Sequence, residues 1–361
     1  NYMNDIGLQV AKLVTAYKLW AANKRPKGKP DSWLWQYYIK FHEEALKDPF
    51  LEEKARQMLR GYELENNPKT KKLWDKIVGW CVQGFKETYK DLGIKFDVYF
   101  YENDFRKSGK LMVEEAIKRN LAFKSAEDTI VADLEKYGIP NTVLLRSDGT
   151  GLYITSDLGL TLHKFKKYGL DQSVWVVSSQ QNLNFKQLFK ILDILGYEFA
   201  KNCRHVSFEH VNLPEGKMSS REGRAIMLDE VIQTLTRQAM EEVSKRNPKI
   251  ASTKKLSIAK KVAISAIKYA VLMIEPEDSI FFYWSKMLSF DVNTGPYLLY
   301  AHTRCSSILK KAKKFKIQYF SKLSTPEKHL IKLLMNYENT LMGVAKQYRP
   351  NMLCNYVYSL A

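Results

Sequence analysis

The sequence predicts an α/β protein of the doubly wound, Rossmann type that continues into an all-α helical bundle. Between residues 96 and 247, strand patterns alternate with helix patterns, which is typical of a sheet with helices packed on it. The continuous apolar run at residues 174–177 fits a parallel strand that is covered on both faces. From Ser252 onward apolar residues keep helical spacing, and prolines divide this part into three or four helices.

The first 93 residues are expected to be helical as well. Apolar side chains recur at helical spacing at residues 10–17 and again at residues 77–89, opposite charged faces. Gly93 suits the left-handed backbone that often ends a helix. Residues 24–30 (KRPKGKP) contain prolines and a glycine, which predict a turn. We interpret this part as a helical insertion, at about residues 10–93, in the α/β domain.

The α/β region divides into short elements. We predict a strand at residues 96–101, a helix at 105–120, strands at Thr142–Leu145 and 152–155 around a hairpin turn at 147–150, a helix at 184–195, a strand at 206–208 and a helix from Leu228. In the helix at 105–120, Leu111, Ala116 and Ile117 are expected to face inward. A strand, a helix, a strand and then a polar loop form the second half of a nucleotide-binding fold.

We place the domain boundary between residues 250 and 251. Beyond it, Thr253 can cap a helix. One face of that helix carries Leu256, Ala259, Ala263, Ile267 and Ala270. The last helix stops at Ala361 within an apolar run, so we expect a truncated end.

Composition excludes several classes of protein. No apolar run approaches the ~20 residues that cross a membrane. No secretory leader is visible, and because the chain opens on Asn1 we expect its natural start to be missing. The four cysteines stand far apart and no H-E-x-x-H motif occurs, so neither a disulfide framework nor a metal site is expected. A reducing cytoplasm fits this pattern best.

The charge of the chain indicates a polyanionic partner. The formal net charge is +18. From residue 251 onward, 17 Lys and Arg stand against 6 Asp and Glu, and Lys310, Lys311, Lys313, Lys314 and Lys316 form the densest cluster. Clustered cations bind nucleic acids because they release counterions from the phosphates. The alternative is a solvated helix face.

A polar segment within residues 205–228 (HVSFEHVNLPEGKMSSREGRAIML) carries candidate chemistry. Lys217, Met218 and Ser219 follow a glycine between a predicted strand and a predicted helix. A lysine and hydroxyl groups on such a loop can close over a polyphosphate and offset the charge of the leaving group. A Walker loop is excluded, because its glycine and hydroxyl positions hold Val211 and Met218. The alternative is a basic surface loop.

A second candidate lies in residues 146–160 (RSDGTGLYITSDLGL). Tyr153 and Asp157 are four positions apart, where a predicted strand gives way to a helix. This is the strand edge where open α/β sheets bind ligands, and a carboxylate there can receive a guanidinium through two parallel hydrogen bonds. The alternative is that Asp157 caps the helix from Leu158 onward and that Tyr153 is a half-buried strand aromatic.

Three further segments complete the set. Residues 178–189 (SSQQNLNFKQLF) follow the apolar strand and could form a polar loop with Asn182 as helix cap. Residues 2–9 (YMNDIGLQ) open the chain, and residues 289–308 (SFDVNTGPYLLYAHTRCSSI) begin the helical part. In the last segment, Tyr297, Tyr300 and His302 could equally serve helix packing.

Together, the five ordered segments resemble the motifs of arginyl-tRNA synthetases, a family of class I aminoacyl-tRNA synthetases, over nearly the whole chain. The chain departs from the family pattern at Ser156, Val292 and Leu299, where members often carry Arg, Gly and Gln. Ser220 stands where the class-wide K-M-S-K-S pattern has its second lysine. The H-I-G-H signature that holds ATP does not occur, and we expect the chain to be a fragment that begins after it.

The resemblance implies a class I synthetase catalytic domain at residues 1–250 and a tRNA anticodon-binding helical domain at 251–361. It implies ATP-dependent activation of L-arginine to arginyl-adenylate, and transfer to the 2′-hydroxyl of the terminal adenosine of tRNA(Arg). The implied site residues are Lys217, Ser219, Ser220 and Arg221 for catalysis; Tyr153, Asp157 and Gln181 for arginine; His205, Val206, Lys217 and Met218 for ATP; and Tyr297, Tyr300, His302, Arg304, Lys310, Lys311, Lys313 and Lys314 for tRNA. ATP as substrate and Mg²⁺ are implied, with no metal site on the protein.

Two alternatives remain open at this stage. A catalytically silent tRNA-binding or scaffold protein could use the same fold, and the missing ATP signature favours it. The retained arginine-pocket residues argue against it, because RNA binding does not require them. A synthetase of another specificity is the second alternative. We expect a cytoplasmic monomer, alone or within a larger synthetase assembly, that does not bind membranes.

Overall fold

The computed structural model describes residues 1–209, 211–213, 216–217, 226–281, 287–289, 291–312 and 322–361. These residues form two compact units that divide at Phe208. The first holds Asn1–Ser207, and the second holds the described residues from Phe208 onward. The boundary that we placed after residue 250 stays a prediction.

A parallel strand pair frames the helical insertion of the first unit. Strand β1 (Tyr2–Met3) pairs with β2 (Phe100–Tyr101), and four helices fold between them. These are α1 (Leu8–Trp20), α2 (Pro30–Ala45), α3 (Phe50–Glu63) and α4 (Pro68–Leu92). The strand predicted at residues 96–101 is shorter than expected, because only its last two residues pair with β1.

Aromatic packing holds the insertion together. Tyr17, Leu34, Phe41, Trp74 and Ile77 are fully buried in its core. Capping residues set both ends of α4. The side chain of Asn67 accepts hydrogen bonds from amides of the first turn, and Gly93 ends the helix with a φ of 64°. The predicted helical character, the turn at residues 24–30 and the glycine cap are confirmed.

Helix α5 (Glu102–Lys118) follows β2 directly. Its buried stripe is Phe105, Gly109, Met112, Val113 and Ala116. The prediction that Leu111 and Ile117 face inward is wrong, since their side chains are 56% and 39% exposed. The stripe is rotated because the glycine of α5 lets the next helix approach closely on that side.

An antiparallel sheet and helix α6 follow. The sheet consists of β3 (Ala122–Lys124), β4 (Ile130–Ala132) and β5 (Thr142–Leu145). The last of these is the strand that was predicted at the same residues. The predicted strand at residues 152–155 is wrong, because α6 (Tyr153–Tyr168) begins there. Thr155 causes this, since its side chain and backbone bond to Leu152 and start the helix. The predicted turn at residues 147–150 is present, with a backbone hydrogen bond from the N–H of Arg146 to the carbonyl oxygen of Thr150 and a bridge between Leu145 and Gly151.

The remaining elements of the first unit agree with the sequence. Strand β6 (Ser173–Ser178) leads into α7 (Asn182–Ile194) and pairs with β7 (Cys203–Phe208). One face of β6 packs on the core that contains Leu158, Leu188 and Ile191. The expectation that β6 is covered on both faces is wrong, because Val176 is 67% exposed.

The second unit is mainly helical. A small sheet joins β8 (Val211–Leu213), β9 (Gly216–Lys217) and β10 (Ile280–Phe281), and the helices are α8 (Leu228–Arg246), α9 (Ser252–Leu272), α10 (Gly295–Lys311), α11 (Thr325–Met335), α12 (Tyr337–Gln347) and α13 (Pro350–Leu360). Ala251, not Thr253, occupies the cap position of α9. Of its predicted inward face, Ala259, Ala263 and Ile267 are buried, while Leu256 is exposed. None of the helices in the described ranges is both long and apolar enough to cross a membrane.

Candidate functional site

The start of α6 places Tyr153 and Asp157 on successive turns. Tyr153 is the first helical residue and is 55% exposed, so it is not a strand aromatic. Its hydroxyl lies beside Gly7, whose φ is +113°. Asp157 is buried in the second turn, and Leu152 occupies the cap position. The interpretation of Asp157 as a helix cap is therefore wrong.

A second buried carboxylate, Glu102, lies near Asp157. Glu102 is the first residue of α5, and its Oε2 accepts a hydrogen bond of 2.7 Å from Nδ2 of Asn4. Burial raises the pKa of Glu102 to about 7, against the opposing effects of Asn4 and Arg106. Arg106 itself forms two hydrogen bonds to Glu63, so its charge is already paired. Glu102 is thus a buried carboxyl group that could bind a cationic ligand.

The environment of Asp157 is equally unfavourable to an isolated negative charge. Burial, followed by the charge of Glu102, raises the pKa of Asp157 to about 7. Lys164, Asn184 and Tyr2 act in the opposite direction. Two carboxylates near each other in a buried setting favour a bound cation, because each is otherwise desolvated without compensation.

Tyr2 adds a phenol to this cluster. Its hydroxyl is buried and forms no hydrogen bond of normal geometry with the described residues. Burial, Asp157 and Glu102 raise its pKa above the ordinary value for tyrosine. Together, Tyr2, Glu102, Tyr153 and Asp157 form what we call the acidic cluster. The sequence reasoning missed Glu102, although its position directly after a strand in an α/β region was a usable signal.

Gln181 is not brought into hydrogen-bonding contact with Tyr153 or Asp157 by the described residues. It ends the short 3₁₀ turn Ser179–Gln181 and holds the cap position of α7 without a side-chain bond. The expectation that Asn182 caps this helix is wrong. Asn184, one turn further on, is the residue of α7 that interacts with Asp157.

His205 connects the two neighbouring strands of the first unit. One ring nitrogen lies 2.9 Å from the carbonyl oxygen of Val177, and the ring stacks on Phe185 with centroids 4.3 Å apart. Val206 is partly buried beside it in β7. These contacts fix the positions of His205 and Val206 within the first unit, and their assignment to ATP stays a prediction.

The segment around Lys217 is described only in part. Its backbone forms β9, antiparallel to β8, with residue 217 opposite Asn212. The other predicted residues of this segment, Met218, Ser219, Ser220 and Arg221, lie outside the described residues.

Helix α10 carries the predicted tRNA residues. Tyr297 packs against Tyr358 with ring centroids 5.5 Å apart, whereas Tyr300, His302 and Arg304 are exposed. Nη1 of Arg304 donates a hydrogen bond of 2.9 Å to the hydroxyl of Tyr300. Helix packing therefore accounts for Tyr297, whereas Tyr300, His302 and Arg304 form an exposed polar face. Among the lysines, Lys310 and Lys311 are exposed, and Lys313 and Lys314 lie outside the described residues.

A metal site is not built by the described side chains. Within the described ranges, no three His, Cys, Asp or Glu residues come close enough to hold a metal ion. The described residues therefore do not fit a protein-held Mg²⁺.

The fold and the acidic cluster define the class of protein: an α/β unit of the class I synthetase type, followed by a helical unit. Residues 1–284 match the family described as tRNA synthetases class I (R), catalytic domain. Residues 298–361 match the DALR anticodon binding domain. The chain belongs to the arginyl-tRNA synthetase family.

Individual relatives agree with this assignment. An arginine–tRNA ligase of Clostridium beijerinckii is 34% identical over 364 residues, which cover 100% of this chain and 64% of the relative. One of Treponema denticola is 33% identical over 374 residues, covering 100% and 63%. The solved arginyl-tRNA synthetase of Thermus thermophilus has a TM-score of 0.82 at 25% identity and covers 100% of this chain and 66% of that one. The chain thus spans a little under two thirds of the curated relatives.

Proposed function

We propose that the protein acts as an arginyl-tRNA synthetase. It would join L-arginine to ATP to form arginyl-adenylate and pyrophosphate, and then transfer the arginyl group to the 2′-hydroxyl of the terminal adenosine of tRNA(Arg). The observation that carries the proposal is the pair of buried carboxylates, Glu102 and Asp157, whose pKa values are both raised to about 7. A bound guanidinium would stabilise their ionised forms.

Each residue of the acidic cluster has a role in this proposal. Asp157 would receive the guanidinium through charge-assisted hydrogen bonds, worth about 1.5–3 kcal/mol. Glu102 would add to the negative potential, and Tyr153 would contact the arginine from the exposed side. Gln181 is proposed as a further arginine contact at the start of α7.

The nucleotide would lie along β7 and the following segment. Attack of the arginine carboxylate on the phosphoanhydride needs no protein nucleophile, so catalysis would come from positioning and electrostatics. Lys217, Ser219, Ser220 and Arg221 would offset the charge of the leaving pyrophosphate, with His205, Val206 and Met218 beside the nucleotide. Mg²⁺ would accompany the ATP phosphates when they bind.

The helical unit would hold the tRNA. Exposed Tyr300, His302 and Arg304 on α10 can stack on bases and contact phosphates, and Lys310 and Lys311 extend the basic face. We propose a cytoplasmic monomer, alone or in a larger synthetase assembly. The separate, free cysteines fit a reducing compartment.

The test compares arginine with citrulline, which has nearly the same shape but no positive charge. Calorimetry on this chain should detect arginine and not citrulline. Asp157→Asn should raise the Kd for arginine at least tenfold, because the guanidinium then lacks its charge partner. Asp128→Asn, at an exposed position outside the cluster, serves as control. Equal binding of arginine and citrulline would contradict the proposal.

Activity requires a second measurement. Arginine-dependent exchange of pyrophosphate into ATP should be measured with and without tRNA(Arg), because family members usually need bound tRNA before they activate arginine. Arginine binding without exchange under either condition would favour a catalytically silent tRNA-binding protein.

A further inference from the structure

An ion pair joins the end of helix α3 to the start of helix α5, next to the acidic cluster. Glu63 is the last residue of α3, and Arg106 lies in the second turn of α5. Nη1 and Nη2 of Arg106 donate to the two carboxylate oxygens of Glu63, with a distance of 3.0 Å between Nη2 and Oε2. Two parallel hydrogen bonds of this kind fix the orientation of both groups.

The surroundings of Glu63 require a cationic partner. The side chains of Arg106 and Glu63 are only 14% and 8% exposed, so either charge without the other would be buried and uncompensated. A carboxylate at the last residue of a helix is also unfavourable, because that end carries a partial negative charge. A second contact joins the same two helices, since Nδ2 of Asn103 donates a hydrogen bond of 3.4 Å to the hydroxyl of Tyr62.

Arg106 has another carboxylate within reach on its own helix. Glu102 lies four positions earlier in α5, and an acid followed by a base at this spacing can form an ion pair along a helix. Burial raises the pKa of Glu102, while Asn4 and then Arg106 act in the opposite direction. Both terminal nitrogens of Arg106 nevertheless point to Glu63. The guanidinium is thus near Glu102 but engaged elsewhere.

The other groups around Glu102 are acidic or neutral. Those that interact with it from the neighbouring elements are Tyr2 in β1, Asn4 and Asp5 after β1, Glu63 in α3, and Tyr153 and Asp157 in α6. Arg106 is the cation beside this set. If it turned to Glu102, it would occupy the carboxylate that a bound guanidinium needs.

We propose that Glu63 is a positioning residue of the arginine site. By holding both terminal nitrogens of Arg106, it keeps that guanidinium from pairing with Glu102 and leaves the carboxylate for the guanidinium of a bound arginine. This inference rests on the proposed function, which supplies the ligand. It also gives the helical insertion a task, because a residue of α3 then sets the charge of a site that is built from β1, α5 and α6.

The test variant is Glu63→Gln, which preserves the size of the side chain and removes its charge. Arg106 then turns to Glu102, and the affinity for arginine at pH 8 should fall about tenfold because the two guanidinium groups compete. Adding Arg106→Gln removes the competitor and should restore the affinity to within about threefold of that of the unsubstituted chain. The matched control is Glu115→Gln, which breaks an exposed ion pair with Arg119 on the same helix.

Proton release separates this role from a purely structural one. Burial raises the pKa values of Glu102 and Asp157 to about 7, so each is about half protonated at pH 7, and arginine binding should release about one proton in all. In Glu63→Gln, Arg106 ionises Glu102 beforehand, and the release should fall to about half a proton. Calorimetry in two buffers with different ionisation enthalpies measures this number. A merely loosened site would bind arginine more weakly but release as many protons.

A measurement without ligand tests the same step directly. Carbon NMR of the glutamate carboxyl groups follows the titration of Glu102, whose signal is assigned by its loss in Glu102→Gln. The midpoint should be lower in Glu63→Gln and should return to its original value or above in the double variant. Glu63→Asp guards against misfolding, because it keeps the charge and shortens its reach. We expect it to weaken arginine binding about threefold.

Three outcomes would overturn the inference. The first is an unchanged midpoint for Glu102 in Glu63→Gln, and the second is weaker arginine binding with unchanged proton release. The third is a loss of affinity that the added Arg106→Gln does not restore. Failure of the proposed function looks different, because the unsubstituted chain would then bind arginine and citrulline equally. The NMR titration of Glu102 would still show whether Glu63 holds Arg106 away from it.

Discussion

Glu102 and Asp157 are the residues whose chemistry depends most on their surroundings. Nothing in the sequence distinguishes these two side chains from other carboxylates. In the folded protein the pKa of each is raised because burial disfavours the charged form. A folded-state pKa above the unfolded value means that these two groups favour folding below about pH 4. That contribution disappears as the pH rises through 7. A cationic ligand restores it above pH 7.

This predicts how arginine binding depends on pH. A group with a pKa of about 7 is only about 3% ionised at pH 5.5, so the affinity for arginine should be about 30-fold weaker there than at pH 8. The arginine-induced rise in Tm should shrink in parallel. Calorimetry and thermal unfolding at the two pH values check this, with Asp157→Asn expected to show a flatter profile. Equal affinity at both pH values would contradict it.

At the residue scale, the sequence predicted part of the cluster. Tyr153 and Asp157 could be predicted from the sequence because they belong to a motif near the end of a predicted strand. Tyr2 and Glu102 come together with them only through the pairing of β1 with β2, which joins residues 98 positions apart. Spacing along the chain does not report such contacts.

Two glycines set the distance between α5 and α6. A β-carbon on Gly109 would overlap the carbonyl oxygen of Thr155, and one on Gly159 would overlap Ser108 and the backbone of α5. The helices therefore pack backbone against backbone. This close packing brings Glu102, at the start of α5, near Asp157 on α6.

Alanine at these glycines should disturb both stability and ligand binding. We expect Gly109→Ala to lower the free energy of unfolding by about 1–3 kcal/mol or more and to weaken arginine binding, because the helices must separate. Gly79→Ala is the control, since open space surrounds that position in α4 and the change should stabilise by about 0.5–1 kcal/mol. Denaturant unfolding and arginine calorimetry measure both effects. Unchanged arginine binding in Gly109→Ala would separate helix packing from the site.

Lys217 lies in β9, which pairs with β8, and we propose that it offsets the charge of the leaving pyrophosphate. We expect Lys217→Ala to lower the rate of adenylate formation more than it weakens ATP binding, because this charge acts mostly in the transition state. Pre-steady-state kinetics and nucleotide titration give the two quantities. Equal reductions in both would mean that the lysine binds ground state and transition state alike.

At the element scale, long helices were predictable and short connections were not. The apolar stripes of α4, α7 and α9 carry enough turns to define a face. The start of α6 was missed because Thr155, a residue with strand preference, starts a helix through its own hydrogen bonds. The buried stripe of α5 was missed because it centres on glycine, which has no hydrophobic signal.

For the whole molecule, positive charge is the dominant property. The net charge of +18 is distributed over both units, with Arg25 and Lys76 in the insertion and Lys310 and Lys311 at the end of α10. A large RNA that contacts both units would meet cations on each. The composition alone predicted this class of partner, while the positions of the charged side chains required the fold.

The lysine cluster that begins in the last turn of α10 provides a test at this scale. Replacing Lys310, Lys311, Lys313 and Lys314 by Gln should weaken tRNA binding, and the salt slope should fall by roughly 0.7–0.9 for each phosphate that is no longer bound. Excess tRNA should restore adenylate formation, because the cluster acts through occupancy. Fluorescence anisotropy across a salt series measures the slope. An unchanged slope would make the cluster a solvated face.

The pairing of β1 with β2 also bears on the order of folding. Asn4 and Glu102 lie 98 positions apart and meet only where these two short strands join. Two residue pairs offer little to offset the entropy of closing so long a loop, so the helices between them must collapse first. We therefore expect the amides of β1 and β2 to become protected late during refolding, after those of α1 and α4. The arginine site would then be among the last parts of its unit to mature.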